Sequence, residues 1–309
     1  MPNLKSKNIL ITGGARGIGR ATARHLLSLP SQHRVFLIDV DAAELAYCAE
    51  SHLAAYAPRV SYTTANLRDG QAIRQAIAAA ADFLGGRIDV LMNNAGIVRS
   101  YFTAGNGTME DPATADEWAA YIETNLSAPF LVSQACIPYM KAQAAAVEGR
   151  SEELKHGERN LDEGGCVIHI SSFRAHISDP NCEGYGATKA GLLGLTQAMA
   201  VSGQQWGIRC NMISPGWVSV KHECREGDEE VAGKLGKKEV APHEKEVEEA
   251  RMEVWAGNHG EEQHAHQPAG RVGRGEDIAE AVEYVMNAGF ISGQEVIVDG
   301  GASRVKKTP

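Results

Sequence analysis

Short apolar runs alternate with segments of helical periodicity along nearly the whole chain. The run at 8–11, Asn-Ile-Leu-Ile, suits a strand buried on both faces, and 18–27 behind it carries helical spacing. The same alternation places strands at 34–39, 60–65, 88–92, 166–170, 208–213 and 295–298. Helices are predicted at about 41–56, 71–84, 114–124, 127–147, 184–203 and 276–287. Seven apolar strands separated by helices predict consecutive βαβ units. The expected fold is α/β, a Rossmann-type doubly wound parallel sheet with helices on both faces.

Two stretches break the rhythm. Residues 147–164 are charged, glycine-containing and poor in apolar groups, which predicts a surface insertion. Residues 219–270 are longer and acidic, with Glu226, Asp228, Glu229, Glu230, Glu244, Glu246, Glu248 and Glu249. Within them, 242–255 has helical character. Following the strand nearest the chemistry, this segment suits an extended substrate lid, with a plain surface insertion as the alternative. No repeat divides the chain, so 1–309 reads as a single domain.

Composition narrows the class. The chain has 309 residues, 43% of them hydrophobic, and a formal net charge of −9. That charge argues against nucleic acid or an acidic membrane surface as partner. No apolar run reaches the ~18 residues a spanning helix needs. The first strand begins too early to leave room for a signal peptide. Cysteines 48, 136, 166, 182, 210 and 224 lie far apart, which suits reduced thiols in a cytoplasmic protein. His259, His264 and His266 lack cysteine partners and helical ligand spacing, so no metal is expected.

Two motifs carry chemistry. Thr12-Gly13-Gly14-Ala15-Arg16-Gly17-Ile18-Gly19 joins the first strand to its helix, the layout that seats a pyrophosphate on a helix N-terminus. Its spacing is Gly-x-x-x-Gly-x-Gly. Far along the chain, Tyr185 and Lys189 stand four apart on one helix, with Ser172 thirteen residues before the tyrosine. An ammonium beside a phenol favours phenolate and lowers a pKa that is otherwise about 10. A serine hydroxyl nearby can hold a substrate oxygen, so the three can move a proton at a carbinol or carbonyl.

Together with Asn93-Asn94-Ala95-Gly96, Asn125 in Thr-Asn-Leu-Ser, Ser171-Ser172, Ser214-Pro215-Gly216, Gly293-Gln294 and Asp299-Gly300-Gly301, these motifs resemble the short-chain dehydrogenase/reductase family in order and spacing. The resemblance covers almost the whole chain outside the two insertions. It implies Tyr185 as general acid/base, and Lys189 as the group that lowers its pKa and holds the nicotinamide ribose. It implies Ser172 on the substrate oxygen and Asn125 on a water linking Lys189 to solvent. Ser171 competes with Ser172, and the thirteen-residue spacing favours Ser172. Gly13, Arg16, Gly17, Ile18 and Gly19 would cradle the pyrophosphate. Asn66, Leu67, Asn94, Ala95 and Gly96 would line the adenosine side, and Pro215, Gly216 and Val218 the nicotinamide side. Relatives pair through the helices here expected at 127–147 and 184–203, which implies a homotetramer or homodimer.

Asp39 ends the second strand twenty residues after Gly19, where a carboxylate accepts from a ribose 2′-hydroxyl and repels a 2′-phosphate. This predicts NAD as the preferred cofactor. Arg16 could reach a 2′-phosphate and keeps NADP as the alternative, and Asp39 could instead cap the next helix. Asn66 stands where relatives often carry Asp, and its amide oxygen can still accept from an adenine amine. Two departures stand out: Val220 replaces a usual threonine near the carboxamide, and the lid is longer than usual. Arg99, Tyr101, Phe173, Arg174, His176 and Trp217 flank the inferred site, with Arg99 tempting an anionic substrate and Trp217 equally suited to packing.

The leading expectation is an oxidoreductase moving hydride between a nicotinamide and a secondary alcohol or ketone. An NADPH-dependent 3-oxoacyl thioester reductase is one alternative. A non-catalytic cofactor sensor is another, disfavoured because it has no need of Asn125, Ser172, Tyr185 and Lys189 together.

Overall fold

The computed structural model describes residues 5–141, 164–220, 223–224, 264 and 267–305. The expected insertion at 147–164 lies outside them except for Gly164. Most of 219–270 does too, including the helix expected at 242–255 and the histidines at 259 and 266.

Seven strands form one sheet: β1 (Asn8–Thr12), β2 (Arg34–Asp39), β3 (Val60–Thr64), β4 (Val90–Asn93), β5 (Cys166–Ile170), β6 (Arg209–Pro215) and β9 (Glu295–Val298). Their order is β3-β2-β1-β4-β5-β6-β9, every pairing parallel. Alternation along each strand divides the core. Ile9, Ile11, Val35, Leu37, Val90, Met92, Ile168 and Ile170 face α1 (Gly17–Ser28) and the final helix, α7 (Gly275–Asn287). Leu10, Phe36, Ile38, Leu91 and Val167 face α3 (Gly70–Phe83) and α5 (Ala128–Met140). Both faces are buried, which is why these strands read as unbroken apolar runs. The strand order reverses between β1 and β4, and a crevice at their carboxyl ends is where such sheets take ligands.

The departures from expectation are local. The helix expected at 41–56 is α2 (Ala42–Tyr47), then a wide turn at Cys48–His52, then a short 3-10 turn at Ala54–Tyr56. In the wide turn Leu53 N donates to Cys48 O at 2.8 Å. That five-residue bond puts Cys48 and Leu53 on one buried face, which an unbroken α-helix would not do. A second wide turn, Ile122–Ser127, joins α4 (Ala115–Tyr121) to α5. Strand β6 runs two residues beyond its predicted end, because Ser214 and Pro215 still pair with Ile297 and Val298. The two-residue strands β7 (Val218–Ser219) and β8 (Gly273–Arg274), paired in parallel, are too short to leave any periodicity. The remaining helix, α6 (Glu183–Gly203), matches its prediction to one residue. Among the described residues, no helix is long and apolar enough to cross a membrane.

Candidate active site

The crevice begins at the glycine turn. Gly13 takes φ +65°, and a Cβ there would lie 2.7 Å from Ala95 Cα. A Cβ on Gly19 would lie 2.1 Å from Gly13 O, so only glycine lets α1 start this close to β1. The neighbouring loop is sewn on by polar bonds. Asn94 Nδ2 donates to Gly13 O at 2.8 Å, and Thr12 Oγ1 accepts from Asn94 N at 3.1 Å and Ala95 N at 3.2 Å. At the N-cap of α1, Arg16 makes no side-chain cap bond, which leaves the N–H groups of the first turn without a cap from that residue. Among the described residues, a Cβ on Gly17 would find nothing nearer than Val220, at 3.7 Å. An open turn of backbone donors on a twelve-residue helix fits a pyrophosphate, and the residues present fit a dinucleotide.

Asp39 is not a helix cap. Its carboxylate accepts from Ala15 N at 3.0 Å, Val40 N at 2.7 Å and Asp41 N at 3.2 Å, holding the turn after β2 against the glycine loop. Asp41 caps α2 instead, accepting from Glu44 N, and also pairs with Arg16. Asn66 is exposed and its amide oxygen accepts from Arg68 N at 3.0 Å, while Leu67 is buried against α3.

The other end is built from side chains. Strand β5 delivers Ser171 and Ser172, and helix α6 brings Tyr185 and Lys189 over them. Ser171 Oγ donates to Lys189 O at 2.9 Å, which commits it to fastening α6. The Ser172 hydroxyl lies near enough to the Tyr185 phenol to affect its acidity, and it accepts from Arg174 N at 3.2 Å. Lys189 Nζ donates to Ile170 O at 3.0 Å and lies 5.5 Å from the Tyr185 ring centre. Burial pushes the Tyr185 phenol up to about 12, with the Ser172 hydroxyl and the charge of Arg174 pulling the other way. Burial also pulls the Lys189 ammonium down to about 8. In the cofactor-free site desolvation is the largest influence on the phenol, and the Lys189 ammonium stands over its ring.

Asn125 sits in the wide turn before α5. Its Oδ1 accepts from Ile97 N at 2.7 Å and its Nδ2 donates to Ile97 O at 3.0 Å. A Cβ on Gly96 would stand 3.1 Å from Asn125 Oδ1 and 3.8 Å from Lys189 Nζ, so glycine keeps the space between them open. Across the crevice, Gly216 N donates to Val298 O at 2.9 Å, and a Cβ on Gly216 would reach Asp299 Cα at 2.7 Å. Pro215 is the last residue of β6, and Val218 lies in β7.

The flanking residues divide. Arg99 is tied to Glu117, which draws it away from an anionic substrate. Arg174, 8% exposed, pairs with Asp179 beside the phenol, and Tyr101 donates to Asp179 at 3.2 Å. Trp217 meets Phe173 edge-on at 5.8 Å, and His176 bonds to Glu295. Sequence reasoning missed Tyr121, whose ring stands edge-on to Tyr185 at 6.5 Å; its signal is its place four residues before Asn125. It also missed His169, fully buried on β5, bonded through Nδ1 to Asn93 and pulled down to about 4 by burial.

The sequence profile of the short chain dehydrogenase family matches residues 7–230. An uncharacterized oxidoreductase of Thermotoga maritima is 32% identical over 303 residues, 96% of each chain. A 3-oxoacyl-(acyl-carrier-protein) reductase of the same organism is 28% identical over 300 residues, 96% of this chain and 98% of that one. The crystal structure of levodione reductase superposes with a TM-score of 0.71 at 26% identity, covering 98% of this chain and all of that one. The chain belongs to the short-chain dehydrogenase/reductase family and is an NAD(P)-dependent oxidoreductase.

Proposed function

We propose that this protein interconverts a secondary alcohol and its ketone, with Tyr185 as proton donor and acceptor and NAD(H) preferred over NADP(H). The observation that carries the reading is the convergence of Ser172, Tyr185 and, one turn on, Lys189, all three buried at the carboxyl end of β5. In reduction Tyr185 gives its proton to the carbonyl oxygen while Ser172 holds that oxygen, and oxidation runs the transfer backwards. A bound nicotinamide supplies or takes the hydride. The Lys189 ammonium supports the charge on the phenolate left behind. Asn125, fixed on Ile97, borders the route by which Lys189 exchanges protons with solvent.

Two features support the cofactor preference. Asp39 presents a carboxylate at the end of β2, and unit charges about 4 Å apart repel by about 4 kcal/mol at an effective dielectric near ~20. Arg16, the candidate partner for a 2′-phosphate, is engaged by Asp41. Exposed Phe130 on α5 and Val201 on α6 support a homodimer or homotetramer built on those helices. The six buried free thiols support a cytoplasmic setting.

The resemblance to the Thermotoga maritima reductase favours 3-oxoacyl thioester reduction with NADPH as the second reading. Turnover of a panel of secondary alcohols, ketones and 3-oxoacyl thioesters with each cofactor decides between them. No turnover on any of these, with cofactor bound, would favour a sensor and sink both.

A further inference from the structure

A cluster of buried charges lies away from the reacting groups. Glu223, just after β7, is fully buried, and its carboxylate meets Arg20 Nε at 3.3 Å, the Arg24 guanidinium, and His52 Nε2 at 3.9 Å. Arg20 is itself fully buried, with Nη1 3.8 Å from Glu44 Oε1 on α2. Arg24 also pairs with Glu276 on α7. Stability is a poor reason for such an arrangement. Each buried ion costs several kcal/mol in lost hydration, and well-packed apolar residues often serve as well or better.

Position offers a better reason. Arg20 directly follows Gly19, and Arg24 lies one turn further along the helix whose first turn faces the pyrophosphate. Glu223 N donates to Val220 O at 2.8 Å, and Val220 is the described residue nearest the open side of Gly17. Val218, two residues before Val220, lies in β7 and is the residue that the family resemblance assigns to the nicotinamide side. On the far side α1 has no slack, because a Cβ on Gly275 of α7 would already lie 2.5 Å from Ala21 Cβ.

We propose that Glu223 is a positioning residue for the dinucleotide: by gripping Arg20 and Arg24 it locks the pyrophosphate helix to the chain bordering the nicotinamide. The proposal rests on the dinucleotide reading. Backbone donors bind well only when held within about 0.5 Å of the productive geometry, so a slack α1 loses cofactor affinity before it loses fold.

The test is calorimetric binding of ADP-ribose and NADH to the full-length protein. Glu223→Gln keeps the shape and removes the charge; both dissociation constants should rise about tenfold. A purely structural role would lower the melting temperature and leave the affinity of the folded protein unchanged. Because Glu223→Gln leaves buried arginines short of a counter-charge, the double variant Arg20→Met with Glu223→Met is measured beside it, and the same tenfold rise is expected. Affinity within twofold of wild type in either folded variant overturns the proposal. Hydrogen exchange on the wild type gives a further arm that needs no variant: ADP-ribose should slow exchange at Glu223 and Cys224 as well as at the start of α1. Protection confined to α1 overturns the proposal as well. A wild type that binds neither NADH nor NADPH sinks the dinucleotide reading itself, a result distinct from all of these.

Discussion

At the glycine-loop end of the sheet, the groups facing the crevice belong to the main chain; at the β5–α6 end they belong to side chains. The first end works by leaving atoms out. Gly13, Gly17 and Gly19 each vacate a Cβ position that would close a contact or stand in the crevice. Its donors are amides, which do not titrate in the working range. The second end works by excluding water. Tyr185 and Lys189 are buried, and both are pushed toward their neutral forms, the phenol up to about 12 and the ammonium down to about 8. The backbone end should therefore fail when an atom is added, and the side-chain end when an atom is removed.

Removing one atom should give the largest effect. Tyr185→Phe takes away the hydroxyl, and losing a general acid/base typically costs a factor of about 10² to 10⁴ in kcat. NADH affinity, measured by fluorescence, should stay within about twofold, because the ring still packs on Tyr121. A variant retaining more than about a tenth of wild-type kcat breaks the assignment.

Adding one carbon should come next. Gly19→Ala places a methyl 2.1 Å from Gly13 O, a backbone atom that cannot swing aside. Overpacking of this kind costs about 1–3 kcal/mol; borne by the binding-competent turn, that should weaken NADH binding roughly 5- to 150-fold. Titration calorimetry showing wild-type affinity would mean that the first turn of α1 does not hold the pyrophosphate.

Much of this comparison was legible in the sequence, for a physical reason. A pyrophosphate turn needs glycine at fixed spacings, and a Tyr-Lys pair needs one helical turn, so Gly13 to Gly19 and Tyr185 to Lys189 announce themselves. The wide turn that aims Asn125 at Ile97 did not, because it is a hydrogen-bonding shift that no residue type dictates. Glu223 and Arg20 are 203 residues apart, beyond any local pattern. Burial of the phenol is a tertiary property: the lysine can be read from the spacing, but the absence of water around the tyrosine cannot.

The shifts themselves give the third prediction. Lys189 titrates near 8 in the cofactor-free site, and Tyr185 keeps its proton well above that. As pH rises past about 8 the ammonium is lost, and with it the charge that supports the phenolate formed during reduction. Ketone-reduction kcat/KM, which reports the free enzyme, should then fall about tenfold per unit above that pH. In Lys189→Met this limb should vanish, leaving a low, flat profile. A wild-type profile level to pH ~9.5 would mean that the charge of Lys189 does not matter to the chemistry.

The smallest effect should come from Asp39, where the two modes of construction meet. Its carboxylate is a side chain, yet three of its bonds go to the backbone of the glycine loop and of its own turn. Asp39→Ala should therefore act twice. It removes the charge that repels a 2′-phosphate, and it loosens Ala15, so NAD⁺ efficiency should drop as NADP⁺ efficiency rises. The residue is partly exposed, and solvent screening cuts the bare repulsion to a fraction, so the ratio of kcat/KM for the two cofactors should move about tenfold. Steady-state kinetics with both cofactors reads this directly. An unchanged ratio with both efficiencies reduced would show that Asp39 serves the loop alone. A wild-type preference for NADP⁺ would show that Arg16 leaves Asp41 for the phosphate when that cofactor binds.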